Sequence, residues 1–355
     1  MSNFSKIYCI IGLERGKVQI FAPRLRITQQ IAFAEGREQN MREIKTVALI
    51  GLGAIGCSLA RELCQTVGFE NFRVIAGGTR RERLEREGVV INGQACRFQI
   101  VSPDTVTEPA DLVLVAVKFG ALPQAIQDIR NQVGAQTTII SFLNGISSDE
   151  MLAEVYGWQR VLYGLVRRAV LMEGNVCTYA PEKGTYYFGE AKNPTVSDRV
   201  QPVCDLFARA GLRYQVPADM VRDIWLKYMG NISENQSAAI LGIPYAAWYA
   251  DGNDANWIRE AACREVIAVA NAVGIDLNEN DLVQQRALAK CVPAWGKPST
   301  LQDLEAGRPT EVEMLAGTLC RLGQAHGVPT PINDLFYHMI RVLEQKNAGA
   351  FAVAP

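Results

Sequence analysis

Residues 46–65 read TVALIGLGAIGCSLARELCQ. The run from Thr46 to Ile50 is short, apolar and unbroken, the character of a strand buried on both faces. Beyond it, Ile55, Leu59 and Leu63 recur at helical spacing. Between strand and helix stand Gly51, Gly53 and Gly56, in the spacing G-x-G-x-x-G. Such a turn has a physical purpose. The first glycine permits a tight bend, the second lets backbone approach a pyrophosphate, and the third lets helix and strand pack closely. The helix N-terminus adds free N–H groups and a partial positive charge. A glycine turn of purely structural purpose is the competing reading, and the strand before and helix after favour dinucleotide binding. Gly51, Leu52, Gly53, Ala54, Ile55 and Gly56 are then the candidate cradle.

The same alternation continues outward. FRVIAG, DLVLVAVKF (111–119) and TTIISFLNGI (137–146) read as strands, with a helix-like ALPQAIQDIRNQV between the last two. Strand and helix in turn predict a parallel sheet covered on both faces. RVLYGLVRRAVLMEGNVCTYA and GTYYFGE are rich in β-branched and aromatic residues, with turn signals at Glu173-Gly174-Asn175; they are expected to extend the sheet antiparallel. From Pro217 onward helical periods dominate, over 219–241, 256–273, 279–292, 311–325 and 332–345, with Gly and Pro at the breaks. The expected organisation is an extension over 1–40, a dinucleotide-binding α/β domain over 41–216, an all-helical domain over 217–345, and a tail over 346–355. The extension reads as a product of an upstream start, with Met41 as the natural beginning.

Composition narrows the function. Hydrophobic residues make up 48% of the 355 and charged residues 21%, which predicts packed cores. The net charge of -1 removes any global electrostatic case for nucleic acid or an anionic membrane as partner. Nine cysteines without a C-x-x-C pair read as reduced thiols of a cytoplasmic protein, with no metal site. No apolar run reaches the ~18–20 residues that span a bilayer. The two histidines, His326 and His338, both stand near the C-terminus, so a histidine proton donor would have to be one of them.

Cofactor choice is read at the end of the second strand, about 20 residues past the glycines. The stretch IAGGTRRER has no acid before Arg80, Arg81 and Arg83. A 2′-phosphate needs cations, so NADP(H) is favoured, with Arg80 the chosen contact and Arg81 its rival. Lys118 and Asn144 fall at the carboxyl ends of predicted strands, the rim that faces ligands in open α/β sheets.

In DIWLKYMGNISENQSAAI (223–240), Lys227, Asn231 and Asn235 stand four apart. Steps of four on an α-helix rotate by about 40°, so the three form one slanting row. Ile224 and Tyr228 flank it, which predicts partial burial and a lowered lysine pKa, as a general acid at neutral pH requires. A solvated helix face is the plainer alternative. A second cluster follows. Ser299 stands directly after a proline, Asp303 four residues on, and Glu311 after Thr310. The residues TEVE fit a capping box, with Thr310 as cap and Glu313 as its partner.

Taken together these residues resemble the ketopantoate reductase (2-dehydropantoate 2-reductase) family. The likeness spans nearly all of 45–345 and rests on GLGAIG, Lys118, NGI at 144–146, K-x3-N-x3-N at 227–235 and S-x3-D-x7-E at 299–311. The resemblance implies a Rossmann domain followed by a helical domain, with the site in the cleft between. It implies NADPH-dependent reduction of a branched 2-oxo acid in pantothenate biosynthesis, by a monomer or homodimer. Lys227 would be the general acid. Asn231, Asn235 and Ser299 would hold the substrate's carboxylate and hydroxyl groups, and Asp303 would support them. Glu311 would bind a substrate hydroxyl, orient the lysine and reach the cofactor. Asn144 would sit near nicotinamide and substrate, Lys118 near the cofactor, and Arg80 at the 2′-phosphate. A hydroxyisobutyrate-type β-hydroxyacid dehydrogenase is the alternative enzyme, disfavoured by the missing acid and the Ser299–Asp303–Glu311 cluster. A protein that senses NADPH without turnover is the alternative from another class.

Overall fold

Four successive buried residues, Val47–Ile50, form strand β1. Their side chains alternate between two cores, which is the physical reason an all-apolar run is stable here. Val47 and Leu49 face one core, and Ala48 and Ile50 face the other. The computed structural model describes residues 42–351. The expectations for residues 1–40 and for the last four residues lie outside them.

The strands after β1 are β2 (Phe72–Ile75), β3 (Val89–Ile91), β4 (Gln94–Cys96), β5 (Gln99–Val101), β6 (Leu112–Val115) and β7 (Thr138–Ser141). They are followed by β8 (Val161–Arg167), β9 (Leu171–Glu173), β10 (Val176–Thr178), β11 (Thr185–Gly189) and β12 (Tyr214–Gln215). The main sheet has eight strands in the order β12-β11-β8-β7-β6-β1-β2-β5. The chain steps from β1 to β2 on one side, and β6 lies on the other side of β1. That reversal opens a crevice at the carboxyl ends of β1 and β6, where α/β folds bind nucleotides. Helices α1 (Ala54–Val67), α2 (Gly78–Glu87), α3 (Leu122–Asp128), α4 (Ser148–Tyr156) and α5 (Gln201–Arg209) accompany the sheet. Leu59 and Leu63 of α1 and Phe207 of α5 fill one core, and Ile126 of α3 and Leu152 of α4 fill the other. Each fully buried side chain of this kind contributes ~1.5–3 kcal/mol. An exposed ion pair contributes only ~0–1 kcal/mol, so two-sided apolar burial holds this sheet.

The expected antiparallel extension begins later than the sequence suggests. β8 runs parallel to β7, because α4 lies between them in the chain and carries it back to the starting edge. The reversal comes at β11, antiparallel to β8, and β12 is again parallel to β11. The segment around Gly174 leaves the main sheet. It makes a β9–β10 hairpin in a four-stranded sheet of order β4-β3-β10-β9.

After β12 the chain is helical. The elements are α6 (Met220–Gly230), α7 (Gln236–Leu241), α8 (Asp254–Ala272), α9 (Glu279–Ala289), α10 (Ser299–Glu305), α11 (Thr318–Ala325) and α12 (Pro331–Asn347). The Asp219 side chain caps α6 by accepting from the Arg222 N–H at 3.0 Å. Arg222 then forks onto Asp281 at 2.7 and 2.8 Å, which ties α6 to α9. Trp225, Met229, Val266, Leu282, Leu319 and Phe336 share one core. No helix among the described residues is long and apolar enough to cross a membrane.

Two π-helical turns, Asn231–Asn235 and Glu313–Gly317, interrupt the helices. The first joins α6 to α7, so the run 219–241 is continuous but not regularly α-helical. The second replaces the expected capping box. Glu344 of α12 accepts the Thr310 N–H at 2.7 Å, the bond a box would assign to Glu313. Glu313 turns instead to Arg321 and Tyr337.

A Cβ on Gly56 would lie 2.0 Å from the Gly51 carbonyl oxygen. Neither atom belongs to a flexible side chain, so α1 would have to move off β1. Gly56→Ala is expected to cost about 1–3 kcal/mol and to lower the melting temperature by several degrees, read by circular dichroism. An unchanged melting temperature would contradict this packing.

Candidate active site

The glycine turn is built by close approach. Gly51 has φ +97°, and a Cβ there would sit 2.5 Å from the Ala116 carbonyl group beyond β6. Gly53 differs: a Cβ would meet nothing within 4 Å. The backbone at Gly53 thus faces open space beside the start of α1, which has no side-chain cap. Its first N–H groups have no partner within the helix and point into that space. These residues fit a dinucleotide diphosphate. Beside them Arg80, in the first turn of α2, donates from Nη2 to the Leu52 carbonyl oxygen at 2.5 Å. Arg81 is engaged elsewhere, with Glu85 at 2.7 Å. Arg83 is exposed. No acidic side chain follows β2 before Arg80.

On the far side of the crevice, Lys118 reaches across to the helical region. Its Nζ lies 3.2 Å from Asp303 and 3.5 Å from Glu311. Glu311 also accepts the Phe119 N–H at 3.3 Å. Asp303 holds Arg308 with its other oxygen at 2.9 Å. The Asn144 loop meets the same helices. Gly145 has φ +88°, and a Cβ there would fall 2.7 Å from Met314 Cγ. Only glycine lets the loop approach the π-turn so closely.

Lys227 stands at the centre. Its Nζ donates to Asn144 Oδ1 at 2.8 Å, from α6 to the loop after β7. The residue keeps some open surface, but protein crowds the amine. Desolvation, joined by the charge of Arg167 and opposed by Glu311, brings its pKa down to about 7. Loss of hydration disfavours the charged form, and a neighbouring cation does the same. Asn231, one turn on, has its Nδ2 buried without a hydrogen-bond partner. That is an unmet buried donor one turn from Lys227. Asn235 is the last residue of the π-turn and is buried. The extra residue of that turn displaces it from the regular row.

The fold therefore gathers Lys227, Asn144, Lys118, Asp303 and Glu311 into one cluster, with Asn231 beside it. The glycine turn and Arg80 lie along the crevice. Ser299 opens α10 and is exposed, without a hydrogen bond to the cluster. Three charged residues escaped the sequence reading. Arg167, the last residue of β8, acts on the charge of Lys227. Glu234, inside the π-turn, is 3.3 Å from the buried Arg259, and burial raises its pKa to about 7. Arg308 anchors Asp303. An arginine pair ending an apolar strand, and an acid within a buried helix, were the available signals.

A nucleotide crevice facing a pKa-shifted lysine defines an oxidoreductase that uses a nicotinamide dinucleotide, NAD(P)H. The family described as "Ketopantoate reductase PanE/ApbA" matches residues 47–193, and its C-terminal counterpart matches 219–344. The chain belongs to this ketopantoate reductase family. The 2-dehydropantoate 2-reductase of Streptococcus pyogenes serotype M18 is 25% identical over 305 residues, covering 84% of this chain and 97% of the relative. Among solved structures, D-mandelate dehydrogenase with NADH and anilino(oxo)acetate superposes with a TM-score of 0.76 at 21% identity, covering 85% of this chain and 99% of that one. The PanE/ApbA family ketopantoate reductase of Ralstonia eutropha JMP134 gives 0.73 at 24%, with the same coverages.

The amine of Lys227 is expected to become reactive in a lower pH range than the surface lysines. Only the deprotonated amine attacks an acylating reagent. Labelling at Lys227 should therefore rise through pH about 7 and level off, while exposed lysines keep rising toward pH ~10. Pulse acylation with peptide mass spectrometry reads both. A Lys227 profile that follows the surface lysines would contradict the shift.

Proposed function

We propose that the chain reduces 2-dehydropantoate, or a closely related branched 2-oxo acid, to the corresponding 2-hydroxy acid with NADPH, in pantothenate biosynthesis. One observation carries this reading: the Lys227 amine of α6, with a pKa near 7, is held 2.8 Å from Asn144 in the loop after β7. A donor tuned to the working pH is what ketone reduction needs. Bound NADPH supplies the hydride. As the carbonyl oxygen takes up negative charge, Lys227 stabilises it electrostatically and gives it a proton, and the ketone becomes a secondary alcohol. The lysine interacts more strongly with the developing oxyanion than with the ground-state ketone, and that difference accelerates the step.

The other residues take supporting roles. Asn144 aims the amine and borders substrate and nicotinamide. Glu311 orients the lysine, binds a substrate hydroxyl and contacts the cofactor. Asn231, with its unmet donor, and Asn235 and Ser299 bind the polar groups of the substrate. Asp303 holds Lys118 at the cofactor's edge. Gly51, Leu52, Gly53, Ala54, Ile55 and Gly56 cradle the diphosphate, and Arg80 grips the 2′-phosphate.

In an assay of NADPH oxidation, ketopantoate should be turned over faster than straight-chain or aryl 2-oxo acids. Lys227→Ala should lower kcat by roughly 10²–10⁴-fold with NADPH affinity nearly unchanged. Near-normal turnover in that variant ends the assignment. Oxidation of 3-hydroxy acids instead would support the β-hydroxyacid alternative, and NADPH binding with no turnover would support the sensor. Charged hydrogen bonds contribute ~1.5–3 kcal/mol. Arg80→Ala should therefore raise the KM for NADPH roughly 10–100-fold and leave that for NADH almost unmoved. An equal change for both cofactors would remove Arg80 from the phosphate.

A further inference from the structure

β8 ends in Arg167, Arg168 follows it, and the alternation of an extended chain sends the two to opposite sides. Arg168 is engaged, although its buried Nε has no hydrogen-bond partner. Its guanidinium lies 5.2 Å from the rings of both Tyr179 and Tyr186, and its Nη1 donates to the Ala180 carbonyl at 3.1 Å. Arg167 shares its face with Tyr163 and Leu165. Leu165 packs against Met220 and Ile224 of α6, and the next turn of that helix carries Lys227. Arg167 thus lies at the sheet rim, along the α6 face that holds Lys227, close to the loop of Asn144.

Among the described residues the Arg167 guanidinium makes no hydrogen bond and no ion pair; burial weighs on it first, and the nearby groups act on it through their charge. They are Tyr187, Asp223, Glu234 and Lys227. Glu234 is engaged by Arg259 at 3.3 Å, and Asp223 forms no ion pair. A guanidinium has five N–H donors, stays charged when partly buried, and matches a carboxylate through two parallel bonds. Here the fork is open, and the group beside it is another cation. Two like charges in a half-buried cleft repel, and an anion between them relieves both.

We propose that Arg167 binds the carboxylate of the 2-oxo acid through both oxygens, placing the adjacent carbonyl oxygen against Lys227. This rests on the reading of the preceding section and specifies its substrate class: a free acid with the ketone directly beside the carboxylate. Asn231, Asn235 and Ser299 then serve the remaining hydroxyl and carbonyl edges. A second consequence follows from the charges. The incoming carboxylate offsets the repulsion that Arg167 exerts on Lys227, so the amine takes up its proton as the substrate arrives. Asp223, Glu234 and Tyr187 around Arg167, and Glu311 and Asn144 around Lys227, are present in both states and do not reverse that sign.

The test uses the full chain with Arg167→Gln and Arg167→Lys. The wild type should reduce the free acid and strongly disfavour its methyl ester. Arg167→Gln should raise the KM for the acid roughly 100-fold, erase the preference over the ester and leave the NADPH Kd unchanged. Arg167→Lys should recover part of the loss. The pH midpoint of kcat/KM, which reports the free enzyme, should move upward in Arg167→Gln, whereas a merely structural residue would not move it. An Arg167→Gln enzyme with wild-type KM and wild-type ester discrimination overturns the proposal. If that variant fails to fold, the wild type decides alone: equal use of acid and ester overturns it, and strong discrimination supports it. A wild type that reduces no 2-oxo acid overturns the proposed function itself and this inference with it.

Discussion

The Lys227 amine is taken out of water and held by one neutral partner, Asn144. Much of the surrounding architecture serves that arrangement. A lysine on an open helix would keep its ordinary pKa, near 10.4. To reach about 7, the amine must be crowded by protein while its neighbours withhold a counter-charge. Asn144 supplies a hydrogen-bond acceptor without charge, so it orients the amine and adds no carboxylate to hold the proton. Glu311 is the one acid that raises the pKa of Lys227, and its oxygens are shared with Lys118 and the Phe119 N–H.

Keeping an amine so placed requires the strand-end loops and the helices to meet at fixed distances. The exposed Lys118 pairs cannot do this alone, because solvent screens them and such pairs add little. Packing does more. Gly145 lets the Asn144 loop lie against Met314, and Ile224 and Met220 seat α6 on Leu165 of the sheet. Within α6's own region, the Tyr228 hydroxyl donates to the Leu315 carbonyl at 2.6 Å and ties that helix to the second π-turn. Lys227 immediately precedes Tyr228, so the residue that positions the helix and the residue that carries the shifted amine are neighbours in the chain.

Much of this was legible before any coordinates. Periodicity placed β1, the glycine turn and α1, because burial on two faces leaves an unbroken apolar run and burial on one stripe leaves a helical one. Spacing singled out Lys227 and the two asparagines, since helix geometry makes every fourth residue a neighbour. What escaped depended on distant partners. The direction of β8 is set by α4's crossover, which strand composition does not encode. The capping box failed because Glu344, more than 30 residues away, took the Thr310 N–H. The π-turn at Asn231–Asn235 sits in a stretch whose pattern reads as plain α-helix, so the displacement of Asn235 could not be foreseen. Arg167 and Glu234 were hidden for the same reason: a charged residue in an apolar context has meaning only when its neighbours in space are known.

The lowered pKa of Lys227 has two origins, and the division between them matters. Desolvation is the larger, and a site that used it alone would hold the amine neutral whether or not a substrate were present. The remainder comes from Arg167, a charge that an anion can offset. A lysine perturbed in part by a cation therefore has a pKa that depends on what occupies the cleft, whereas a lysine perturbed only by burial does not. Glu234 and Asp223 do not replace that anion. Burial brings the pKa of Glu234 to about 7, so it is a weaker counter-charge near neutral pH than an ordinary carboxylate, and it is already engaged by Arg259; Asp223 forms no ion pair with Arg167 among the described residues. A guanidinium without an ion pair is left at the rim of β8, near an amine close to its own midpoint. A small acid entering there would meet a guanidinium that no carboxylate of the described residues grips.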